Sequence, residues 1–231
     1  GGSTWTPATI AGDPVKGLCA IEIASWPYIN AGHLETKQMI VAGGRVGGPA
    51  VFIKSTDGGL TWKAQDMTAH CAMILDIHFF DDRHGIIAAA SNANVAESNA
   101  LIITTDDGGE TWKKVYQSAR PFELTWKMSF PSRETGYCTI QAYNPDKTVS
   151  TRHVAKTADG GKTWTELALC DNVAVREFGI AFADDNTGWV GAMPHGWFTA
   201  DGGASWAKAQ MGNAVNKIRL LKTDQGVVGY A

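Results

Sequence analysis

The sequence lacks both long apolar runs and a surplus of charge of one sign. No run approaches the roughly 18 apolar residues that a membrane-spanning helix needs. The net charge of -3 and the pI near 6.1 offer no general attraction for nucleic acid or an anionic membrane. We therefore expect no transmembrane segment and no nucleic-acid partner.

Cysteine is scarce, and helical periodicity is absent. The four cysteines, Cys19, Cys71, Cys138 and Cys170, are widely spaced and form no C-x-x-C pair, so neither a zinc site nor a disulfide framework is indicated. The glycine-rich segment GGRVGG lies between two predicted strands and opens no helix, which argues against a nucleotide site. The sequence thus predicts no metal and no cofactor.

The sequence is instead rich in glycine and tryptophan, and it repeats. Twenty-six Gly and nine Trp residues indicate many tight turns with large aromatic anchors. Four segments of the pattern Ser/Thr-x-Asp-Gly-Gly-x-Thr/Ser-Trp recur at intervals of 50, 52 and 42 residues. Their aspartates are Asp57, Asp107, Asp159 and Asp201, and their tryptophans are Trp62, Trp112, Trp164 and Trp206.

A second motif accompanies these turns at a fixed phase. It reads FFDDRHG (79–85), FPSRETG (130–136), FADDNTG (182–188) and, more loosely, LLKTDQG (220–226). Short alternating segments flank both motifs and indicate four β-strands per repeat, A to D. Four short strands per repeat, with both motifs at a fixed phase, predict an all-β fold, a β-propeller of four-stranded antiparallel blades. A β-sandwich is the alternative, but it does not explain the repeated phase.

The spacing of the two motifs along the chain also predicts the domain organisation. We expect one propeller domain over residues 1–231, with full blades at 17–67, 72–116, 123–168 and 174–209 and partial blades at 1–10 and 214–231. The opening GGSTW matches residues 58–62, the second half of a repeat turn, and the chain stops after a strand B pattern. We interpret it as a window of a longer propeller, with an incomplete five-blade closure as the alternative.

Each residue type in the Asp-Gly-Gly turn has a structural use. The aspartate can accept hydrogen bonds from backbone N–H groups of its own turn, the glycines supply positive φ angles, and the tryptophan packs between sheets. TDDGGE lacks the alternating ligands and terminal Glu of a calcium loop. We therefore assign the turn aspartates and tryptophans a structural role and expect no metal there.

These turns are Asp boxes, also called bacterial neuraminidase repeats, which occur in sialidases, xyloglucan-degrading enzymes, sortilin-type receptors and photosystem II assembly factors. FADDNTGWVGAM followed by FTADGGASW closely resembles the repeats of the photosystem II assembly/stability factor propellers. FPSRETGYCTI departs from that pattern by lacking its Asp. The resemblance implies a non-catalytic scaffold that binds a protein client or membrane-complex subunit in the periplasm or thylakoid lumen, with an extracellular location also open.

An up-and-down blade places A–B turns and Asp boxes on one face, here called the box face. The B–C and D–A connections then form the opposite, loop face, where variable loops favour binding. The resemblance implies an arginine-bearing surface there, and by location the candidates are Arg45, Arg120, Arg152 and Arg176.

Strand A should line the central channel, and its alternation directs charged side chains toward the axis. These are Asp76, Lys127, Lys217 and Arg219, with Glu177 continuing the row. One interpretation is a solvated channel whose charges compensate each other. The other is a binding site at the channel mouth, where Arg120, Glu123, Arg176 and Glu177 would converge.

Two alternative functions belong to other classes. A glycoside hydrolase of sialidase or xyloglucanase type needs two carboxylates facing one cleft, for which Glu123 and Glu177 are the best pair. A carbohydrate-binding or receptor-like propeller could stack a glycan on Tyr143, Trp197 or Trp26, although Trp197 is expected to be packed in strand C. The absence of a recognisable catalytic constellation favours the scaffold.

Overall fold

The computed structural model describes residue 4 and residues 6–12, 15–45 and 48–231. The described residues form antiparallel sheets in chain order, which we call blades I to IV, followed by a two-stranded hairpin. Blade I comprises β2 (Ala20–Asn30), β3 (His33–Gly44), β4 (Val51–Ser55) and β5 (Thr61–Asp66), and blade II comprises β6 (Met73–Phe79), β7 (Gly85–Ala90), β8 (Ala100–Thr105) and β9 (Lys113–Gln117). Blade III comprises β10 (Glu123–Ser129), β11 (Gly136–Ala142), β12 (Thr151–Thr157) and β13 (Thr165–Asp171), and blade IV comprises β14 (Arg176–Phe182), β15 (Gly188–Met193), β16 (Gly196–Thr199) and β17 (Ala207–Ala209). The final hairpin is β18 (Arg219–Thr223) with β19 (Gly226–Tyr230).

The first strand of every blade faces a common axis. Residues from β2, β6, β10, β14 and β18 line one narrow central cavity. Neighbouring inner strands are tied together when a side-chain oxygen accepts a backbone N–H of the next blade, as Glu22 does from Phe79 at 2.7 Å and Asp76 from Met128 at 2.8 Å. This arrangement confirms the predicted all-β architecture of four-stranded antiparallel blades around a channel.

The Asp boxes confirm the proposed turn chemistry. In each box the first Ser or Thr hydroxyl accepts from the second Gly N–H at 2.9 Å and donates to the Asp carboxylate. That carboxylate in turn accepts the backbone N–H of the later Thr or Ser at 2.9–3.0 Å. Both glycines have φ between +69° and +92°, a region that favours glycine. These contacts lower the pKa of Asp57 to about 2, chiefly through the Thr61 hydroxyl.

The opening segment is described only in part. Residues 1–3 and Trp5, on which the predicted half-box depends, lie outside the described residues. Downstream of them, β1 (Thr9–Ala11) runs parallel to β5 at the outer edge of blade I, with Ile10 opposite Trp62.

The first hydroxyl of each Asp box should contribute measurably to the stability of the fold. We expect Thr157→Val to lower the free energy of unfolding by about 1–3 kcal/mol, because the buried Gly161 N–H loses its acceptor while side-chain volume is kept. Thr157→Ser is the matched control, since Ser55 already fills this position in the first box. Urea unfolding of both variants measures the difference, and equal losses would contradict the assigned role of the hydroxyl.

The Phe-x5-Gly motif has a packing explanation. A Cβ added at Gly85, Gly136 or Gly188 would come within 2.2–2.5 Å of the ring of the motif's own phenylalanine. The same ring meets the box tryptophan edge-on, at 6.3 Å for Phe79 with Trp112, 6.1 Å for Phe130 with Trp164 and 6.3 Å for Phe182 with Trp206. The glycine therefore makes room for the ring that supports the box, which explains why the two motifs keep a fixed phase.

Blade I departs from this pattern. Its β2 and β3 form a long hairpin that turns at Ala31 and Gly32, and its far end is exposed on both strands. The Tyr28 hydroxyl donates to Glu35 at 2.6 Å across that end. No Phe-x5-Gly motif precedes the first box, so the repeat pattern did not predict this longer hairpin.

Candidate functional site

The loop face is built by contacts between B–C and D–A connections, as the strand order requires. The B–C loop of blade II, which contains the short 3-10 helix Val95–Glu97, meets the next D–A connection where Asn99 donates to the carbonyl of Arg120 at 3.0 Å. In blade III the equivalent loops meet where the Asn172 N–H donates to the carbonyl of Ser150. The loops are thus fixed to one another at the blade interfaces.

Arg120 and Glu123 are brought together at the interface of blades II and III. The Arg120 guanidinium lies 2.6 Å from Glu123 and 2.9 Å from Glu166, and the Tyr116 hydroxyl donates to the other oxygen of Glu166 at 2.6 Å. Burial raises the pKa of Glu123 even though Arg120 opposes the shift. Burial lowers the pKa of the neighbouring His153, and the nearby Arg120 acts in the same direction. Arg120 is therefore mainly a link between blades.

Glu177 does not line the channel, although the alternation of strand A predicted that it would. A β-bulge between Glu177 and Ile180 adds a residue to β14 and breaks the alternation. The side chain is fully buried, with Oε1 3.9 Å from Nε of the equally buried Arg152. Neither carboxyl oxygen has a hydrogen-bond partner among the described residues. Desolvation raises the pKa of Glu177 to about 8.

Arg152 acts as an internal clamp beneath the loop face. Its guanidinium donates to the carbonyls of Val175 at 3.0 Å, Val173 at 2.7 Å and Val149 at 3.1 Å. These bonds join the B–C loop of blade III to the following D–A loop, so Arg152 positions the surface that the loops present.

Arg176 is the arginine of this group that remains at the surface with an aromatic neighbour. Its guanidinium lies 4.9 Å from the ring of Tyr143 and donates to the carbonyl of Ala142. Tyr143 is 36% exposed, and its hydroxyl donates to the buried Gln141 at 2.6 Å. Arg176 and Tyr143 together form a patch in which a cation lies beside a partly exposed aromatic ring.

The central channel carries a paired centre and an unpaired cationic side. Lys127 lies 3.4 Å from Asp76, and both line the cavity of about 70 Å³ with Lys217 and Arg219. Burial raises the pKa of Asp76, with Lys127 opposing the shift. Lys217 and Arg219 are exposed and form no ion pair with any residue that the structure describes. The channel charges therefore compensate only in part.

The remaining predicted residues lie apart from these groups. Arg45 follows β3 and is half-buried. Trp197 is 7% exposed and packed, as expected for strand C, while Trp26 is half-buried on β2. The sequence reading missed Tyr116, His153 and Glu166, because they reach Arg120 only when strands from two blades pack together.

The best carboxylate pair for glycoside hydrolysis, Glu123 and Glu177, is buried at 3% and 0% exposure. Within the described ranges, no three His, Cys, Asp or Glu side chains cluster in a way that could hold a metal ion. In the same part of the chain, no helix is long and apolar enough to cross a membrane.

Comparisons with known proteins agree with the repeat and the fold. The BNR/Asp-box repeat model matches residues 103–114. The photosystem II assembly lipoprotein Ycf48 of Synechococcus sp. (strain CC9902) is 28% identical over 166 residues, which is 70% of this chain and 43% of that protein. The chain thus spans less than half the length of this relative.

Solved structures are similar at lower identity. Penicillium chrysogenum α-L-arabinanase complexed with arabinobiose matches with a TM-score of 0.55 and 13% identity, over 84% of this chain and 71% of that one. YCF48 bound to D1 peptide matches with a TM-score of 0.47 and 22% identity, over 66% of this chain and 45% of that one. The chain therefore has a β-propeller fold with a BNR/Asp-box repeat at residues 103–114, and over 70% of its length it resembles the photosystem II assembly lipoprotein Ycf48.

Proposed function

We propose that this chain is a non-catalytic scaffold that binds a protein client through its loop face, in the manner of a photosystem II assembly factor. The observation that carries the proposal is the 28% identity to the assembly lipoprotein Ycf48 over 70% of this chain. The client is a protein subunit of a membrane complex undergoing assembly. The rigid blades hold the loops, and the loops supply the contact.

The surface chemistry of the loop face and channel supports a protein client. Arg176 with Tyr143 provides a cation beside an aromatic ring, and Lys217 with Arg219 adds two exposed cations. Arginine and tyrosine are enriched at the centres of protein interfaces. We propose the Arg176–Tyr143 patch as the principal contact, with Lys217 and Arg219 as a supporting cationic edge.

The proposal is tested by affinity purification from the source organism with quantitative mass spectrometry. We expect a membrane-complex subunit to co-purify with the chain and to fall at least tenfold when Arg176 and Arg219 are both changed to Glu. Lys208→Glu, on the outer strand β17, is the matched charge-reversal control and should leave recovery unchanged. Equal recovery with all three proteins would contradict the assigned surface.

The glycosidase alternative has its own test. The buried positions of Glu123 and Glu177 argue against turnover of fluorogenic sialosides or xyloglucan and arabinan oligosaccharides. We expect the wild-type protein to hydrolyse these substrates no faster than the Glu177→Gln variant does. Turnover that this substitution abolishes would replace the scaffold with an enzyme.

A further inference from the structure

Neighbouring blades are connected on the box face through the carbonyl of the first box glycine. At the interface of blades I and II, Lys54 Nζ donates to the carbonyl of Gly108 at 2.8 Å. At the interface of blades III and IV, Lys156 Nζ donates to Gly202 at 3.0 Å and the Tyr137 hydroxyl donates to the same oxygen at 3.2 Å. In both cases a lysine ammonium from strand C of one blade occupies the space beside the Asp box of the following blade.

The interface of blades II and III lacks both kinds of donor. Thr104 immediately precedes the box residue Thr105, as Lys54 precedes Ser55 and Lys156 precedes Thr157. Ile86 follows its motif glycine as Tyr137 does. The carbonyl of Gly160 accepts no side-chain hydrogen bond from any residue within the described ranges. A cavity of about 250 Å³, lined by Ile86, Thr104 and Gly160, opens at this position.

The cavity also carries a carboxylate where the other interfaces carry an ammonium. A Cβ built on Gly108 or Gly202 would lie 3.8 or 2.9 Å from a lysine Nζ, whereas one built on Gly160 would lie 3.9 Å from Oε2 of Glu134. The positions equivalent to Glu134 in the flanking motifs are Arg83 and Asn186. Glu134 forms no ion pair with any residue that the structure describes.

The basic residues around the cavity are largely matched by acidic ones. Lys113 pairs with Asp106 at 3.1 Å, and Arg133 pairs with Asp81 at 2.8 Å. Lys162 also lines the cavity, and its side chain is exposed. Among the described residues, none donates a side-chain hydrogen bond to the Gly160 carbonyl and none forms an ion pair with Glu134, and both Gly160 and Glu134 line this cavity.

We propose that this cavity binds the primary ammonium of a lysine side chain presented by a protein partner. The ammonium would take the place that Lys54 and Lys156 fill at the flanking interfaces, donating to the Gly160 carbonyl and pairing with Glu134. The apolar side of Ile86 accommodates the methylene stem of such a side chain. This site lies on the box face and is separate from the loop-face contact proposed above.

The test uses the whole chain and a small probe. In ¹⁵N-labelled protein, we expect Nα-acetyl-lysine amide to shift the amide signals of Gly160 and Gly161 saturably, while Nα-acetyl-norleucine amide, which lacks the ammonium, does not. Thr104→Lys should abolish the shift because the chain's own ammonium then fills the cavity. Glu134→Gln, at an exposed position, should weaken binding at least fivefold without affecting folding.

The chain also supplies a gain-of-site control. Lys54→Thr should open a second cavity beside Glu110, the carboxylate that Lys54 pairs with at 3.2 Å, and produce a new lysine-dependent shift at Gly108 and Gly109. Equal responses to the lysine and norleucine probes, or a Gly160 shift that survives Thr104→Lys, would overturn the proposal, as would the absence of any shift. Because no client is used, either result leaves the loop-face proposal to its own test.

Discussion

Replacing Gly136 with alanine is expected to lower the free energy of unfolding by about 3 kcal/mol, the upper end of the usual cost of overpacking. The new Cβ would lie 2.2 Å from Cε1 of Phe130, a contact that requires the ring to move. The ring has little freedom to move, because it also meets Trp164 edge-on at 6.1 Å and stacks on His78 at 4.8 Å. Urea denaturation gives the value directly.

A double-mutant cycle separates this clash from a general intolerance of side chains. Phe130→Ala removes the ring, so adding Gly136→Ala to that variant should cost little more. Gly48→Ala is the control for an ordinary glycine, since its nearest neighbour is the flexible side chain of Lys16 at 3.4 Å. A full 3 kcal/mol loss in the Phe130→Ala background would refute the ring-over-glycine explanation of the motif.

Glu177→Gln is expected to remove a large pH dependence from stability. Folding raises the pKa of this carboxyl from 4.5 to about 8 through desolvation, so between these values the folded state keeps a proton that the unfolded state has released. The stability contributed by the buried neutral acid is complete below pH 4.5 and is lost as the pH rises through 8. The free energy of unfolding of the wild-type protein should therefore fall by an amount on the order of several kcal/mol between pH 5 and pH 9.

The glutamine variant mimics the neutral acid at every pH. It should match the wild type near pH 4.5 and exceed its stability increasingly as the pH rises, as measured by urea unfolding in a pH series. Thr157→Ser, which changes no titratable group, should run parallel to the wild type. If the Glu177→Gln and wild-type curves also run parallel, Glu177 is ionised in the folded protein and Arg152 compensates its charge.

Local sequence chemistry was sufficient to predict the fold class and the geometry of the Asp-box turns. The Asp-Gly-Gly turn needs an acceptor at Asp159 and positive φ at Gly160 and Gly161, and both requirements are visible in the residue types themselves. The alternation of strand A also placed Asp76 and Lys127 correctly in the channel. These features depend on contacts within one turn or one strand.

Features that depend on the pairing of separate strands or on packing between blades were not predictable in the same way. The bulge after Glu177 turns a residue assigned to the channel into a buried one, and no residue type in β14 announces it. The link from Arg120 to Glu166 joins two blades whose relative placement only the fold supplies. Thr104 occupies the position that Lys54 and Lys156 occupy in the flanking blades. The importance of this difference depends on the hydrogen bonds that both lysines make to the next box, which only the fold shows.

The central claim, that the loop face holds a protein client, is tested most directly by photo-crosslinking in the source organism. A benzophenone amino acid at Tyr143, beside Arg176, should give a discrete protein adduct upon irradiation, and Arg176→Glu should abolish it. The same amino acid at Lys208 on β17 should give none. An adduct at Lys208 alone, or no adduct at Tyr143, would contradict the account.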